Sequence, residues 1–388
     1  MNILYRFTVL DSFRGIAAIL VFFYHLQHII DSIILSNAFI KGCYLFVDFF
    51  FIISGFVITH NYRKKINSAA SFKLFIKKRF FRLYPLHFIL LMIFLVYYLL
   101  RITIDYYFDT ANDFTFIGFL SNLFLMNALQ WHPQITSLTW NMPSWSISAE
   151  VISYILFGIT CLIPNERLQK ILLFFLLVVS YKILYELNHN FSITATHNFG
   201  FLRGIFGFFL GFFVYHFYLK SFKSSIYTKL SMTIAEVILI TGCITLLCFQ
   251  GTSQSFGFIY YIIFSLIVYV FSLEKGCVSK AISKIESLKV LGKISYSIYI
   301  NHYLLLIFFS ILYKNFGLAL INNVFLDLLV IVIQTIALIY ISKLSYQFIE
   351  LKFNNGLRLN GLFNKKFIET DAKHEAKNTL PLLQNEVQ

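Results

Sequence analysis

The sequence predicts an all-α, polytopic membrane helix bundle of about ten transmembrane helices, with both termini cytoplasmic. Three observations lead to that class. The 388 residues are 58% hydrophobic and only 13% charged, against about 25% charged in a soluble domain. The apolar stretches run close to 20 residues, the length an α-helix needs to cross about 30 Å of hydrocarbon. Along them, apolar and polar residues do not alternate as they would in the strands of a membrane barrel.

In chain order the spans fall near 13–34, 43–61, 83–104, 147–163, 170–187, 200–219, 231–249, 256–273, 294–313 and 323–348. Residues 114–130 are also apolar but short, and read as a re-entrant or interfacial segment. The loops set the orientation. Arg63, Lys64, Lys65, Lys73, Lys77, Lys78, Arg79 and Arg82 separate the second and third spans. From Ile102 to Glu166 there is no Lys or Arg, but Asp105, Asp109 and Asp113 are present. With ten spans, 27 of the 32 Lys and Arg residues fall on one side, the exceptions being Lys41, Arg101, Lys182, Arg203 and Lys314. By the positive-inside rule that side is cytoplasmic. An eleventh span at 114–130 would invert every later loop and spoil the bias.

This layout assigns residues 1–353 to one membrane domain and 354–388 to a polar, flexible cytosolic tail. The net charge of +14 flanks membrane spans, so membrane lipids are the expected partners and nucleic acid is not. The first span carries no signal-peptide cleavage pattern. The five cysteines form no CxxC pair, and no His, Cys and carboxylate spacing marks a metal site.

Charged and polar side chains inside the spans are the functional candidates, because they are costly there. Arg14 and His25 lie eleven residues apart on the first span, about three helical turns and about 16 Å, and so share a face. Arg14 can hold an anion at the inner mouth, and His25 can pass protons near neutral pH. The blander reading is a snorkelling Arg and a His satisfied by a neighbouring helix. Arg79 and Arg82, three apart in a basic run before Pro85, suit a phosphorylated ligand, or simply anchor the span. Asp48 sits on an aromatic flank, near the outer end of the second span, and needs a partner or water; as a carboxylate it is also a candidate to orient His25. Ser54 and Gly55 are read as packing residues. Trp145, Ser146 and Glu150 open the fourth span. Glu150 is either a helix N-terminal charge favoured by the dipole or an acid/base that orients a histidine. Ser295, Tyr299 and His302 form one stripe, which either lines a cavity or makes helix–helix hydrogen bonds.

Taken in order, these segments resemble the membrane-bound acyltransferase-3 family, which includes bacterial O-antigen and exopolysaccharide O-acetyltransferases. The match runs through Asp11-Ser12-Phe13-Arg14-Gly15 to His25, Val47-Asp48 to Ser54-Gly55-Phe56, Arg79-x-x-Arg82-x-Tyr84-Pro85, Trp145-Ser146 to Glu150, Arg203-Gly204, Ser295-Tyr296-Ser297 to His302, and Glu350. Phe46 stands where relatives often carry Gly, and Asn301 where Trp is common. The resemblance implies transfer of an acyl group, usually acetyl from acetyl-CoA, to a hydroxyl of an envelope glycan or glycolipid in the bacterial inner membrane. Acetyl-CoA is then a donor substrate, and no bound cofactor is implied. By position the essential Arg and His become Arg14 and His25, and the donor-binding pair Arg79 and Arg82. The rival expectation is a transporter or flippase for a lipid-linked sugar. Against it, the five prolines (Pro85, Pro133, Pro143, Pro164, Pro381) avoid mid-span positions and no internal repeat appears.

Overall fold

A computed structural model describes residues 7–354, apart from 31, 105–113, 136, 189–194, 223–226, 251–256 and 316–322. The acidic 105–113 segment and all but the first residue of the 354–388 tail therefore lie outside the described residues.

The described chain is helical. Its order is α1 (Thr8–Leu26), α2 (Ala38–Gly42), α3 (Phe46–Tyr62), α4 (Ala69–Ile104), α5 (Phe116–Leu123), α6 (Trp145–Cys161), α7 (Glu166–Asn188), α8 (Gly200–Ser221), α9 (Lys229–Gln250), α10 (Gly257–Ser272), α11 (Cys277–Ile282), α12 (Glu286–Lys293), α13 (Ser295–Asn315) and α14 (Val324–Ser345), which runs on into a wider π-type turn at Tyr346–Glu350. Nine helical segments among the described residues are long and apolar enough to cross a membrane, and α10 is a shorter apolar helix where the eighth span, 256–273, was predicted.

Three boundaries differ from the hydropathy reading. The first span was expected to continue to residue 34, but α1 ends at Leu26. The chain then turns until Asn37, whose side-chain oxygen accepts from the Ile40 amide and starts α2. The third span was expected to begin at residue 83, but α4 begins at Ala69. Lys and Arg are good helix formers, so the basic run extends the helix below the apolar stretch. Pro85, expected near a helix start, therefore lies inside α4. Within 114–130 only the eight residues of α5 are helical, about 12 Å of rise and too short to cross. The α5 C-terminus is held by α4: His87 and Tyr84 bond to the carbonyls of Asn122 and Leu123, at 2.9 and 3.0 Å.

Helix α8 is central, packing against α3, α6, α7 and α10. Glycine makes its closest approaches possible. A methyl at Gly55 of α3 would strike the Phe208 carbonyl of α8, and one at Gly211 would strike the Ile52 carbonyl of α3. Small residues of this kind let transmembrane helices pack backbone to backbone. Gly55 thus serves the packing role predicted for it. Asp48, expected to need a partner or water, is buried at 1% exposure and has partners. Its carboxylate accepts from Arg203 Nε at 3.1 Å and Nη2 at 2.8 Å, and from the Tyr261 hydroxyl at 2.7 Å. This knot ties α3, α8 and α10. The Arg203 guanidinium also lies over the Trp145 ring, 4.9 Å from its centroid. All five cysteines are free, and only Cys277 is exposed.

Candidate active site

Five of the long helices converge on a cavity. Its polar lining is Arg14 from α1, Ser54 from α3, Arg79 and Arg82 from α4, Ser146, Glu150 and Tyr154 from α6, and Ser295, Tyr296 and Tyr299 from α13. Helical spacing explains the convergence. Arg79 and Arg82 are three apart, Ser146, Glu150 and Tyr154 are at intervals of four, and Ser295 and Tyr299 are four apart, so each set shares a face.

The cationic wall is incompletely satisfied by protein. Arg79 gives Nη2 to the Tyr62 hydroxyl at 2.8 Å and lies 5.0 Å from the centre of that ring. Its Nε is buried with no hydrogen-bond acceptor, so an anion in the cavity would complete it. Arg14 is 3.8 Å from Asp11, a loose i, i+3 pair. Glu150 is the carboxylate among the lining residues, and one of its oxygens accepts from both the Ser54 and the Tyr154 hydroxyls. Ser54, read as a packing residue, is thus a Glu150 partner. Ser146 donates to Pro143 O at 3.0 Å and meets the Tyr299 hydroxyl at 2.9 Å.

The two histidines lie behind this wall rather than in it. His302, one turn beyond Tyr299, is fully buried; its Nδ1 faces the Tyr299 carbonyl and its Nε2 has no partner. His25, one residue before the end of α1, places Nδ1 2.9 Å from the Val21 carbonyl. The two rings are 4.9 Å apart at their centroids and tilted by 38°. A carbonyl can only accept, so each neutral ring carries its hydrogen on Nδ1 and keeps a free lone pair on Nε2. What orients His25 is therefore the Val21 carbonyl, not Glu150 or Asp48, which the sequence reading offered for that task. Their carboxylates are engaged elsewhere: Glu150 by hydroxyls and Asp48 by Arg203.

The structure thus brings together Arg14, Arg79, Arg82, Glu150, Ser146 and Tyr299 in one wall, and pairs His25 with His302 behind it. Trp145 stands apart, under Arg203. The family profile described as an acyltransferase domain matches residues 7–343, nearly the whole described chain. The chain belongs to the membrane-bound acyltransferase-3 family. The resemblance read from the motifs is borne out, and the chain is an integral membrane protein. A Rhizobium radiobacter protein named "Protein 2 in picA locus" is 37% identical over 95 residues, 24% of this chain and 47% of that relative. The match thus spans about half the length of that curated relative. No solved structure matches the chain.

Of the polar lining residues, Tyr154 was not singled out from the sequence, and Tyr296 appeared only within the Ser295-Tyr296-Ser297 motif. The signal for Tyr154 was present, since it stands four residues after Glu150. Tyr296 donates to the Leu83 carbonyl of α4, a long-range contact with no local signature.

Proposed function

We propose that this acyltransferase moves an acyl group, acetyl foremost, from acyl-CoA to a hydroxyl of an envelope glycan or glycolipid, of the O-antigen or exopolysaccharide kind, at the bacterial inner membrane. The observation that carries the reading is the convergence of Arg14, Arg79 and Arg82 on one cavity that also holds Glu150 and Tyr299. Arginine forks suit the phosphates of CoA, and by the positive-inside rule the basic 62–82 segment supports a mouth on the cytosolic side, where acyl-CoA is found. The thioester arm then runs past Glu150 toward Tyr299. Beyond Tyr299 stand His302 and His25.

In this reading the acceptor hydroxyl meets His25. Nε2 takes the hydroxyl proton as the oxygen attacks the thioester carbonyl. The new ester C–O bond forms, the C–S bond breaks, and CoA leaves as a thiolate that collects the proton. Arg14, Arg79 and Arg82 hold the donor through both steps. A transient acyl-histidine is the alternative course, and single-turnover trapping distinguishes the two.

The test uses the purified full chain in proteoliposomes, with acetyl-CoA labelled in the acetyl group and envelope polysaccharide as acceptor. Label should pass to the glycan with a mass gain of one acetyl group. Arg79→Ala and Arg82→Ala should each weaken donor binding by about 10-fold or more, the worth of a charge-assisted hydrogen bond. Absence of label in the glycan, or sugar translocation without acylation, overturns the reading.

A further inference from the structure

Beneath the arginine wall lies a second chamber whose lining, apart from Arg79 and Arg82, the reaction described above does not use. It shares Val57, Arg79 and Arg82 with the first cavity, so the two meet at the guanidinium pair. Asn61, Tyr62, Lys65 and Lys78 also line it. Its described lining thus holds four cations and no carboxylate, whereas the first cavity sets Glu150 against three arginines. Such a one-signed pocket focuses its field on a polyanion. Tyr62 adds an aromatic ring, already stacked under Arg79, and Asn61 offers an amide able to donate and accept.

A CoA thioester has this two-part chemistry. One end is a slim, nearly neutral thioester arm, and the other is a nucleotide bearing a diphosphate and a separate 3′-phosphate. We propose that the second chamber seats the nucleotide end, with Lys65 and Lys78 reading the 3′-phosphate and Arg79 and Arg82 holding the diphosphate where the chambers join. The inference rests on the acyl-CoA reading and goes beyond it. It makes the chamber, rather than the chemistry above it, the element that selects CoA over shorter thioesters.

The experiment is calorimetric binding of CoA, 3′-dephospho-CoA and pantetheine to the purified full chain in neutral detergent, with and without added phosphatidylglycerol. Wild type should bind CoA more tightly than the dephospho form, and that more tightly than pantetheine. The double variant Lys65→Ala/Lys78→Ala should lose about 10-fold or more of its CoA affinity, less for 3′-dephospho-CoA, and none for pantetheine. Lys64→Ala, on the same loop but exposed and outside the chamber, serves as the control and should bind CoA like wild type. Equal losses for all three ligands, or unchanged CoA affinity in the double variant, overturn the inference. So does a chamber that takes phosphatidylglycerol with no preference for CoA. A wild type that binds no CoA at all overturns the acyl-CoA reading itself, and this inference with it.

Discussion

The paired imidazoles can be separated by substitutions that respect their hydrogen bonds. Asparagine can reproduce the Nδ1–H donor of histidine but has nothing in place of Nε2. His25→Asn should therefore keep the bond to Val21 and lose about 100-fold or more in kcat, the usual worth of a general base, at unchanged abundance in the membrane. His302→Asn should keep the bond to Tyr299 and lose less, since His302 is fully buried whereas His25 is only partly so. Wild-type kcat in His25→Asn would remove that ring from the chemistry. Much of this neighbourhood was legible in the sequence, because residues three, four, seven or eleven apart on a helix share a face whatever the tertiary fold. The Asp48–Arg203 pair was not legible. Its members are 155 residues apart, and no local pattern tells a carboxylate that meets water from one that meets a guanidinium. Sequence reasoning placed both toward the outer ends of their spans and left Asp48 to a partner or to water; at 2% side-chain exposure for each, the partner is Arg203. Removing one partner of such a pair strands the other's charge, which costs far more than the pair contributes.

At the scale of helices, the α3–α8 contact is set by glycine. A Cβ at Gly211 would overlap the Ile52 carbonyl and the Phe56 amide, and backbone cannot move aside as a side-chain tip does. Gly211→Ala should destabilise the bundle by about 1–3 kcal/mol, the usual cost of overpacking, read as a lower midpoint in detergent thermal unfolding. Gly242 of α9 is the contrast, with open space where its Cβ would be. Gly242→Ala should be neutral, or stabilising by about 0.5–1 kcal/mol, because alanine has the better helix propensity. Similar losses in both variants would show that α3 and α8 are not held by close approach. Hydropathy located the helices but misplaced their ends where charge or capping took over. The Lys- and Arg-rich start of α4 is helical without being apolar. The stretch after His25 is apolar without being helical, since Asn37 caps a new helix there. Short α11 was equally hidden: its first amides are capped by Glu236 of α9, at 2.9 Å to Val278 and 3.2 Å to Ser279.

For the whole molecule, the proposed reading has the donor enter where the lysines are, so the direction in which the bundle sits decides which compartment supplies the acyl group. The number of spans and the charge of the loops argue for the cytosol, through a rule about insertion rather than a contact that can be measured. The chain carries its own reporter for that question. Four of its thiols are wholly or partly shielded within the bundle, while Cys277 stands in the open at the first residue of α11, on the same predicted side as the arginine mouth. A bulky, membrane-impermeant maleimide should thus modify the unmutated protein at this one position in inside-out vesicles and leave it untouched in right-side-out spheroplasts. The opposite pattern would turn the bundle over and oblige the acyl group to come from the far compartment. No engineered tag or cysteine-less background is needed to find out.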